Sequence, residues 1–143
     1  MSAPFRIQRP DTGAVRAAGA QGSQENFKFY LDRLMKMIPA EVISLYLIGK
    51  GFIPLEQPIV LAAWALVCVA GVLLIRAFGT ADPEANKSPD WVHVTISAVA
   101  FVIWVYTLGG PFEAAKLYEP YVGSLLVLAW TFFVPVIYKG PLD

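Results

Sequence analysis

The sequence predicts an all-α membrane protein, in which an N-terminal amphipathic interfacial helix precedes three to four transmembrane helices in an antiparallel bundle. Composition is the first observation behind this prediction: 57% of the 143 residues are hydrophobic, 15% are charged and the mean hydropathy is +0.56. Ordinary globular domains contain about 25% charged residues. The second observation is the distribution of charged residues. The uncharged stretches that they leave beyond residue 56 are each long enough to cross a bilayer.

Residues 1–23 predict a polar, extended tail. Prolines and glycines interrupt this stretch at Pro4, Pro10, Gly13, Gly19 and Gly22, and no apolar periodicity connects them. The stretch also lacks the apolar core of a secretory signal. We therefore place no folded domain before residue 24.

Residues 24–38 predict an amphipathic helix at the membrane interface. An apolar stripe recurs at helical spacing: Phe27, Tyr30, Leu31, Leu34 and Ile38. The opposite face is charged and mostly basic: Lys28, Asp32, Arg33 and Lys36. Asp32 precedes Lys36 by four residues, an order that stabilises a helix by roughly 0.2–0.5 kcal/mol. A basic amphipathic helix beside a membrane segment most naturally lies in the headgroup layer.

A hinge at Pro39 separates this helix from the apolar part of the chain. Proline has no backbone N–H and disfavours the α conformation at the residue before it, so the helix is expected to end at Ile38. If Pro39 begins a new helix, Glu41 lies in the first turn, where the helix dipole stabilises a carboxylate. We expect Glu41 to pair with Arg33 or Lys36 of the same or an adjacent chain.

A transmembrane domain is predicted over residues 39–143, with candidate spans at 39–53, 57–76, 91–109 and 120–138. The last three are long enough to span. The first has fifteen residues, which reach about 22 Å as a helix against a hydrocarbon core of about 30 Å. Either it spans with a turn or two lent by the preceding helix, which we favour, or it is re-entrant. Short connections make sequential helices antiparallel neighbours.

Basic residues are distributed unevenly along the chain. Six of the eleven lie before the hinge, and a four-span topology leaves only Lys50 and Lys116 on the side opposite the N-terminus. A three-span topology gives nearly the same asymmetry. Because basic residues are enriched in cytoplasmic loops, both topologies place the N-terminus in the cytoplasm.

The run from Arg33 to Ile43, which contains Lys36-Met37-Ile38-Pro39-Ala40-Glu41-Val42, resembles a segment of small uncharacterised bacterial inner-membrane proteins. In these proteins a basic residue and an Ile-Pro-Ala-Glu motif precede hydrophobic hairpins. The resemblance covers about fifteen residues and implies a multi-pass protein of the bacterial inner membrane. The resemblance implies no function, but it indicates that Pro39 and Glu41 belong to the architecture that these proteins share.

Few side chains in the apolar part of the chain could support chemistry. The candidates for structural or assembly roles are Arg33, Lys36, Pro39, Glu41 and Ser44. His93 is the single histidine and lies near a predicted interface, where a hydrogen-bonded boundary residue is more common than a ligand or proton relay. The lone Cys68 excludes an internal disulfide. No nucleophile with a base, carboxylate pair or metal-ligand spacing is present, so we expect neither an enzyme nor a cofactor.

Two classes of function follow. The first is a non-catalytic structural, accessory or anchoring subunit of a larger membrane assembly, built from other subunits or from copies of this chain. The second is a homo-oligomeric ion channel or pore with Glu41 and Ser44, one helical turn apart, facing the lumen. A water-filled pore needs a polar stripe through a span, and here the stripe stops after Ser44. The first class is therefore favoured, with the bilayer as partner, and the zero formal charge gives no indication of nucleic-acid binding.

Overall fold

The computed structural model describes residues 4–7, 19–84 and 86–140, and for residues 19–23 it describes the backbone only. Within these ranges the chain is all-helical, as the sequence predicts, and contains no strand. Its helices are α1 (Gly19–Met37), α2 (Ala40–Phe52), α3 (Pro58–Thr80), α4 (Trp91–Thr107), α5 (Gly110–Ala114) and α6 (Pro120–Ile137).

The first helix begins five residues earlier than the predicted start at Gln24. Residues 19–23 therefore belong to α1 and not to the tail. Apolar periodicity could not reveal these residues, because they include no large apolar side chain. Ala20 and Gln21 are good helix formers, which offsets part of the cost of Gly19 and Gly22. Most of the predicted tail, residues 1–3 and 8–18, lies outside the described residues.

The hinge at Pro39 separates α1 from α2. Pro39 is buried and precedes the first turn of α2 with φ −81° and ψ 62°. Its carbonyl oxygen accepts hydrogen bonds from the backbone N–H groups of Val42 and Ile43, both at 3.0 Å. Proline thus ends one helix and starts the next, and Glu41 falls in the first turn of α2.

Two helices are long and apolar enough to cross a membrane by length and composition: α3 with 23 residues and α6 with 18. At 1.5 Å per residue they measure about 34 Å and 27 Å. The apolar helix α4 is slightly shorter, with 17 residues. In contrast, α2 has 13 residues and measures about 20 Å.

The core lies where α2, α3 and α4 meet. Its buried side chains are Val42, Tyr46, Cys68, Val72, Phe101 and Val105. The rings of Tyr46 and Phe101 pack edge to face, with centroids 5.8 Å apart, an arrangement favoured by the aromatic quadrupole. Helix α6 also packs against α4, and α1 contacts both.

The predicted apolar stripe of α1 is divided between two faces. Tyr30 lies toward the bundle, where its hydroxyl donates to the carbonyl of Thr131 in α6 at 3.0 Å. Phe27, Leu31 and Met35 form a second, exposed row at four-residue spacing, and Met35 is 75% exposed. We call these three residues the outer row of α1.

Candidate functional site

Polar side chains collect at one end of the bundle, where α1 and α3 end, α2 and α4 begin and α6 ends. We call this the hinge end and the opposite one the far end. Arg76 is the central residue, lies near the C-terminus of α3 and is only 1% exposed. Its Nη2 lies 3.0 Å from Glu41 Oε1 and donates to the carbonyl of Ile38, also at 3.0 Å. One guanidinium therefore holds residues on both sides of the hinge.

A chain of hydrogen bonds joins the ends of three helices beside Arg76. The Thr80 hydroxyl donates to the Arg76 carbonyl at 2.7 Å and accepts from the Asp90 backbone N–H at 3.1 Å. Asp90 caps α4, because its Oδ1 accepts from the His93 backbone N–H at 3.1 Å. The Tyr138 hydroxyl, just beyond α6, donates to the other carboxylate oxygen of Asp90. The chain connects α3, α4 and α6.

Residues 4–7, which we call the N-terminal segment, lie against the same cluster. The Phe5 backbone N–H donates to the Gly79 carbonyl at 3.1 Å, and the Phe5 ring centroid lies 4.1 Å from the Arg76 guanidinium carbon. Arg6 donates to the Thr80 carbonyl at 3.3 Å, and the Lys36 ammonium donates to the Arg6 carbonyl at 3.2 Å. A cation over an aromatic face is stabilised by about 0.5–2 kcal/mol.

The N-terminal segment fits a notch that depends on a glycine. A Cβ added at Gly79 would collide with the Phe5 ring, so the helix surface must be bare at this position. Ile7 is almost fully buried as well. The segment is thus packed and hydrogen-bonded, which a polar, extended tail does not imply.

His93 and Ser97 lie one turn apart on the buried face of α4, and both are fully buried. In the described part of the chain, neither His93 ring nitrogen nor the Ser97 hydroxyl makes a hydrogen bond of ordinary geometry. Arg76 and the Lys36 backbone lie near the His93 ring. The sequence led us to expect a hydrogen-bonded His93 at the boundary. The structure instead turns this ring into the bundle.

The residue that pairs with Glu41 differs from the expected one. Within the chain, Arg76 occupies this position and not Arg33 or Lys36, so the sequence-based pairing requires correction. Lys36 is engaged elsewhere, since its ammonium lies 3.0 Å from Asp32 and donates to the N-terminal segment. Arg33 is half-buried. Burial lowers the pKa of Arg33 below its usual value, and the charge of Asp32 opposes this shift.

Ser44 is exposed on α2, and its hydroxyl donates to the Ala40 carbonyl one turn earlier at 2.9 Å. This back-bonding satisfies the hydroxyl within its own helix. Glu41 and Ser44 therefore share a side of α2, as their spacing requires, but each has a partner inside the chain.

Comparison with known proteins gives no relative. No family model, curated protein or solved structure matches the chain. The hinge-end cluster must therefore be interpreted from its own geometry.

Sequence reasoning missed three participants in this cluster: Phe5, Arg76 and Asp90. The predicted span 57–76 ends at Arg76, although Ala77, Phe78 and Gly79 continue the apolar run beyond it. That continuation is the signal for an arginine inside a helix, where it needs a partner. Asp90 directly precedes the apolar stretch beginning at Trp91, which is the usual pattern of an N-cap. Nothing in the sequence indicates where Phe5 docks.

The cluster is suited to fastening elements together. Arg76 forms an ion pair, Asp90 caps a helix, and the hydroxyls of Thr80 and Tyr138 connect helix ends. Among the described residues, no three His, Cys, Asp or Glu side chains are grouped so that they could hold a metal ion.

Proposed function

We propose that this protein is a multi-pass integral membrane protein that serves as a structural, accessory or anchoring subunit of a larger membrane assembly. The observation that carries the proposal is the exposure of large apolar side chains along α3 and α6. Ile59 is 83% exposed and Phe78 is 79% exposed, with Leu128, Phe132 and Ile137 also exposed. Acyl chains would cover these surfaces, which water would not stabilise.

The length of the helices supports a bundle of three spanning helices and one shorter helix. At about 34, 25 and 27 Å, α3, α4 and α6 approach the roughly 30 Å hydrocarbon core. The shorter α2 begins at the hinge end and extends partway. Its Lys50 ammonium donates to the carbonyl of Leu108, which would satisfy a cation near the far end.

The hinge end supports the anchoring part of the proposal. Here the N-terminal segment and α1 are fastened to the helices by Arg76, Thr80 and Lys36. Force applied to the N-terminal region would therefore reach the membrane helices through fixed contacts. The outer row of α1 would enter the headgroup layer, with Lys28 beside it near lipid phosphates.

Orientation follows from charge. Because most basic residues lie before the hinge, we propose that the hinge end faces the cytoplasm of a bacterial inner membrane. Lys50 and Lys116 would then lie at the outer side.

The hydrogen bonds and the ion pair made by the polar side chains of α2 favour the subunit proposal over a pore. A lumen lined by Glu41 and Ser44 would need their polar groups to be directed at water. Instead, Glu41 pairs with Arg76, and the Ser44 hydroxyl bonds within α2.

The experiment that tests the proposal has two stages. Carbonate extraction of membranes first determines whether the full chain is integral, and release into the supernatant would contradict the membrane part. Native electrophoresis in a mild detergent then compares the wild type with Phe5→Ala. We expect a complex larger than one chain in the wild type and partial dissociation in the variant. Pro4→Ala, at an exposed neighbouring position, is the matched control. A wild-type protein that migrates as a single chain with no partner would contradict the subunit part.

A further inference from the structure

A groove lies between α3, α4 and α5, in the half of the bundle nearer the far end. Its volume is about 340 Å³, close to the lower limit of the roughly 300–1,000 Å³ range of ligand sites. All its lining side chains are apolar, and they include Ala65, Leu66, Val69, Phe101, Val105 and Phe112. A polar ligand would find no side-chain donor or acceptor there.

The groove results from small residues on one wall and a folded-back turn on another. Ala62 and Ala65 leave space on α3, and the buried Phe101 ring belongs to the lining. Helix α5 closes the far side because Gly109 and Gly110 adopt positive φ values of 81° and 52°. A Cβ at Gly110 would collide with the Tyr46 hydroxyl, so this close approach requires glycine.

We propose that the groove binds one acyl chain of a zwitterionic phospholipid. This inference rests on the proposed membrane location. The groove opens beside Leu66, which lines it and is also 69% exposed on the surface assigned to the bilayer. A lipid chain can therefore enter sideways without crossing polar surface. Side chains that line an unfilled apolar groove lose dispersion contacts on that side. A flexible hydrocarbon chain in the groove would supply those contacts.

Hydrogen bonds from two tyrosines fix the backbone beside the groove. The Tyr106 hydroxyl donates to the Leu117 carbonyl at 3.2 Å and accepts from the Glu119 backbone N–H at 3.1 Å. The Tyr118 hydroxyl donates to the Thr107 carbonyl at 3.1 Å. Leu117, which lines the groove, is thus held in place through its backbone. The wall of the groove is therefore fixed by specific hydrogen bonds.

The charges beside the groove select the headgroup. Lys116 is exposed next to Leu117, and Glu113 and Glu119 are exposed three residues to either side of it. The Lys50 ammonium also reaches this end of the bundle, where it donates to the Leu108 carbonyl, so two cations and two carboxylates lie there. Such a balanced set complements a headgroup that carries both a phosphate and an ammonium better than a purely anionic one. Charge complementarity therefore favours the zwitterionic lipid.

The test uses purified full-length protein in nanodiscs, with phosphatidylcholine that carries a photoreactive diazirine on one acyl chain. After irradiation, labelled residues are mapped by mass spectrometry. We expect labelling concentrated at Leu66, Val69 and Val102, several-fold above that at Leu128 on α6, whose exposure of 65% is close to the 69% of Leu66. The same diazirine chain on phosphatidylglycerol, at equal mole fraction, should label the groove less.

Ala65→Trp fills the groove and should reduce this labelling several-fold. Val67→Trp is the matched control, since Val67 is exposed on the same helix and does not line the groove. Ala115→Leu, at an exposed position on the α5 side, narrows the groove without a change on α3. This variant should also reduce labelling, and it provides the same test if Ala65→Trp does not fold.

Each remaining outcome contradicts a specific claim. Equal labelling of the groove and of α6 would reject the acyl-chain site while leaving the membrane proposal intact. Labelling that is equal with both headgroups would reject the selection by Lys116 and its neighbours. A disulfide between chains in Leu66→Cys under mild oxidation, with no lipid adduct in the groove of the wild type, would assign the groove to a second copy. Full release by carbonate would instead reject the proposed function itself.

Discussion

The guanidinium of Arg76, near the end of α3, lies 3.0 Å from the carboxylate of Glu41 in the first turn of α2. The same nitrogen donates to the carbonyl of Ile38, directly before Pro39. Proline alone leaves the angle between two helices free over a range of backbone conformations. Arg76 restricts this angle, because it contacts both sides of the proline at once.

Glu41→Gln should destabilise the protein by about 1–3 kcal/mol. The substitution keeps the shape and removes the charge opposite a buried guanidinium, and hydrogen bonds to charged groups contribute about 1.5–3 kcal/mol. The 38% exposure of the Glu41 side chain places the effect below that of a fully buried pair. Thermal unfolding in detergent can be followed with a thiol-reactive dye, since the buried Cys68 becomes accessible on unfolding.

Glu56→Gln is the control for this prediction, because Glu56 is exposed at the far end. The double variant Glu41→Gln/Arg76→Met should lose less stability than the two single changes added together. Neighbouring residues that interact are coupled by about 0.5–3 kcal/mol. Strict additivity would show that the contact between Arg76 and Glu41 does not stabilise the fold.

Phe5→Ala should release the N-terminal segment while the helices remain folded. It removes the ring over Arg76, a contact of about 0.5–2 kcal/mol, and the packing against Gly79. Hydrogen exchange measured by mass spectrometry should show faster exchange of the amides of residues 5–7 and unchanged exchange in α4. Equal protection in Pro4→Ala, Phe5→Ala and the wild type would mean that Arg6 and Ile7 suffice to hold the segment.

Gly79→Ala tests the same docking from the opposite side. Alanine normally stabilises a helix interior relative to glycine by about 1 kcal/mol. Here the added methyl group meets the Phe5 ring, so we expect the segment to exchange faster even though the helix itself is favoured.

The sequence predicts the helices well and their contacts poorly. The starts of α4 and α6 agree with the predicted spans, because Asp90-Trp91 and Glu119-Pro120 combine a change in polarity with a capping pattern or a proline. The predicted span 57–76 ends four residues before α3 does, because a charge at the end of an apolar run indicates an interface, whereas Arg76 is buried in the protein.

Pairings at the hinge end depend on how helices align in space, which local periodicity does not encode. Lys36 follows Asp32 by four residues, so that ion pair could be predicted. Glu41 and Arg76 are separated by a complete helical hairpin, and their contact depends on the packing of α2 against α3. The burial of His93 likewise depends on which face of α4 is turned toward α1 and α3.

Asp90→Ala should destabilise the protein by about 0.5–2 kcal/mol through loss of an N-cap. The carboxylate accepts from the His93 backbone N–H and from the Tyr138 hydroxyl, so its removal also deletes one hydrogen bond to the end of α6. Thermal unfolding should show a lower midpoint, and exchange at the first turn of α4 should accelerate. Ser88→Ala, at an exposed position in the same loop, is the control. A normal midpoint in Asp90→Ala would show that Thr80 alone positions the start of α4.

Reconstituted wild-type protein should carry no selective ion current, and Glu41→Gln should not create one. The carboxylate is paired with Arg76 and the Ser44 hydroxyl bonds to its own helix, so each of these exposed polar groups already has a partner inside the chain. Currents recorded across a planar bilayer from equal amounts of both proteins test this expectation, with native electrophoresis of the same samples to compare their assembly. The pore hypothesis requires the opposite result, because a carboxylate in a lumen determines which ions pass. Selective wild-type currents whose selectivity changes in Glu41→Gln, with assembly unchanged, would therefore replace the subunit proposal with the pore.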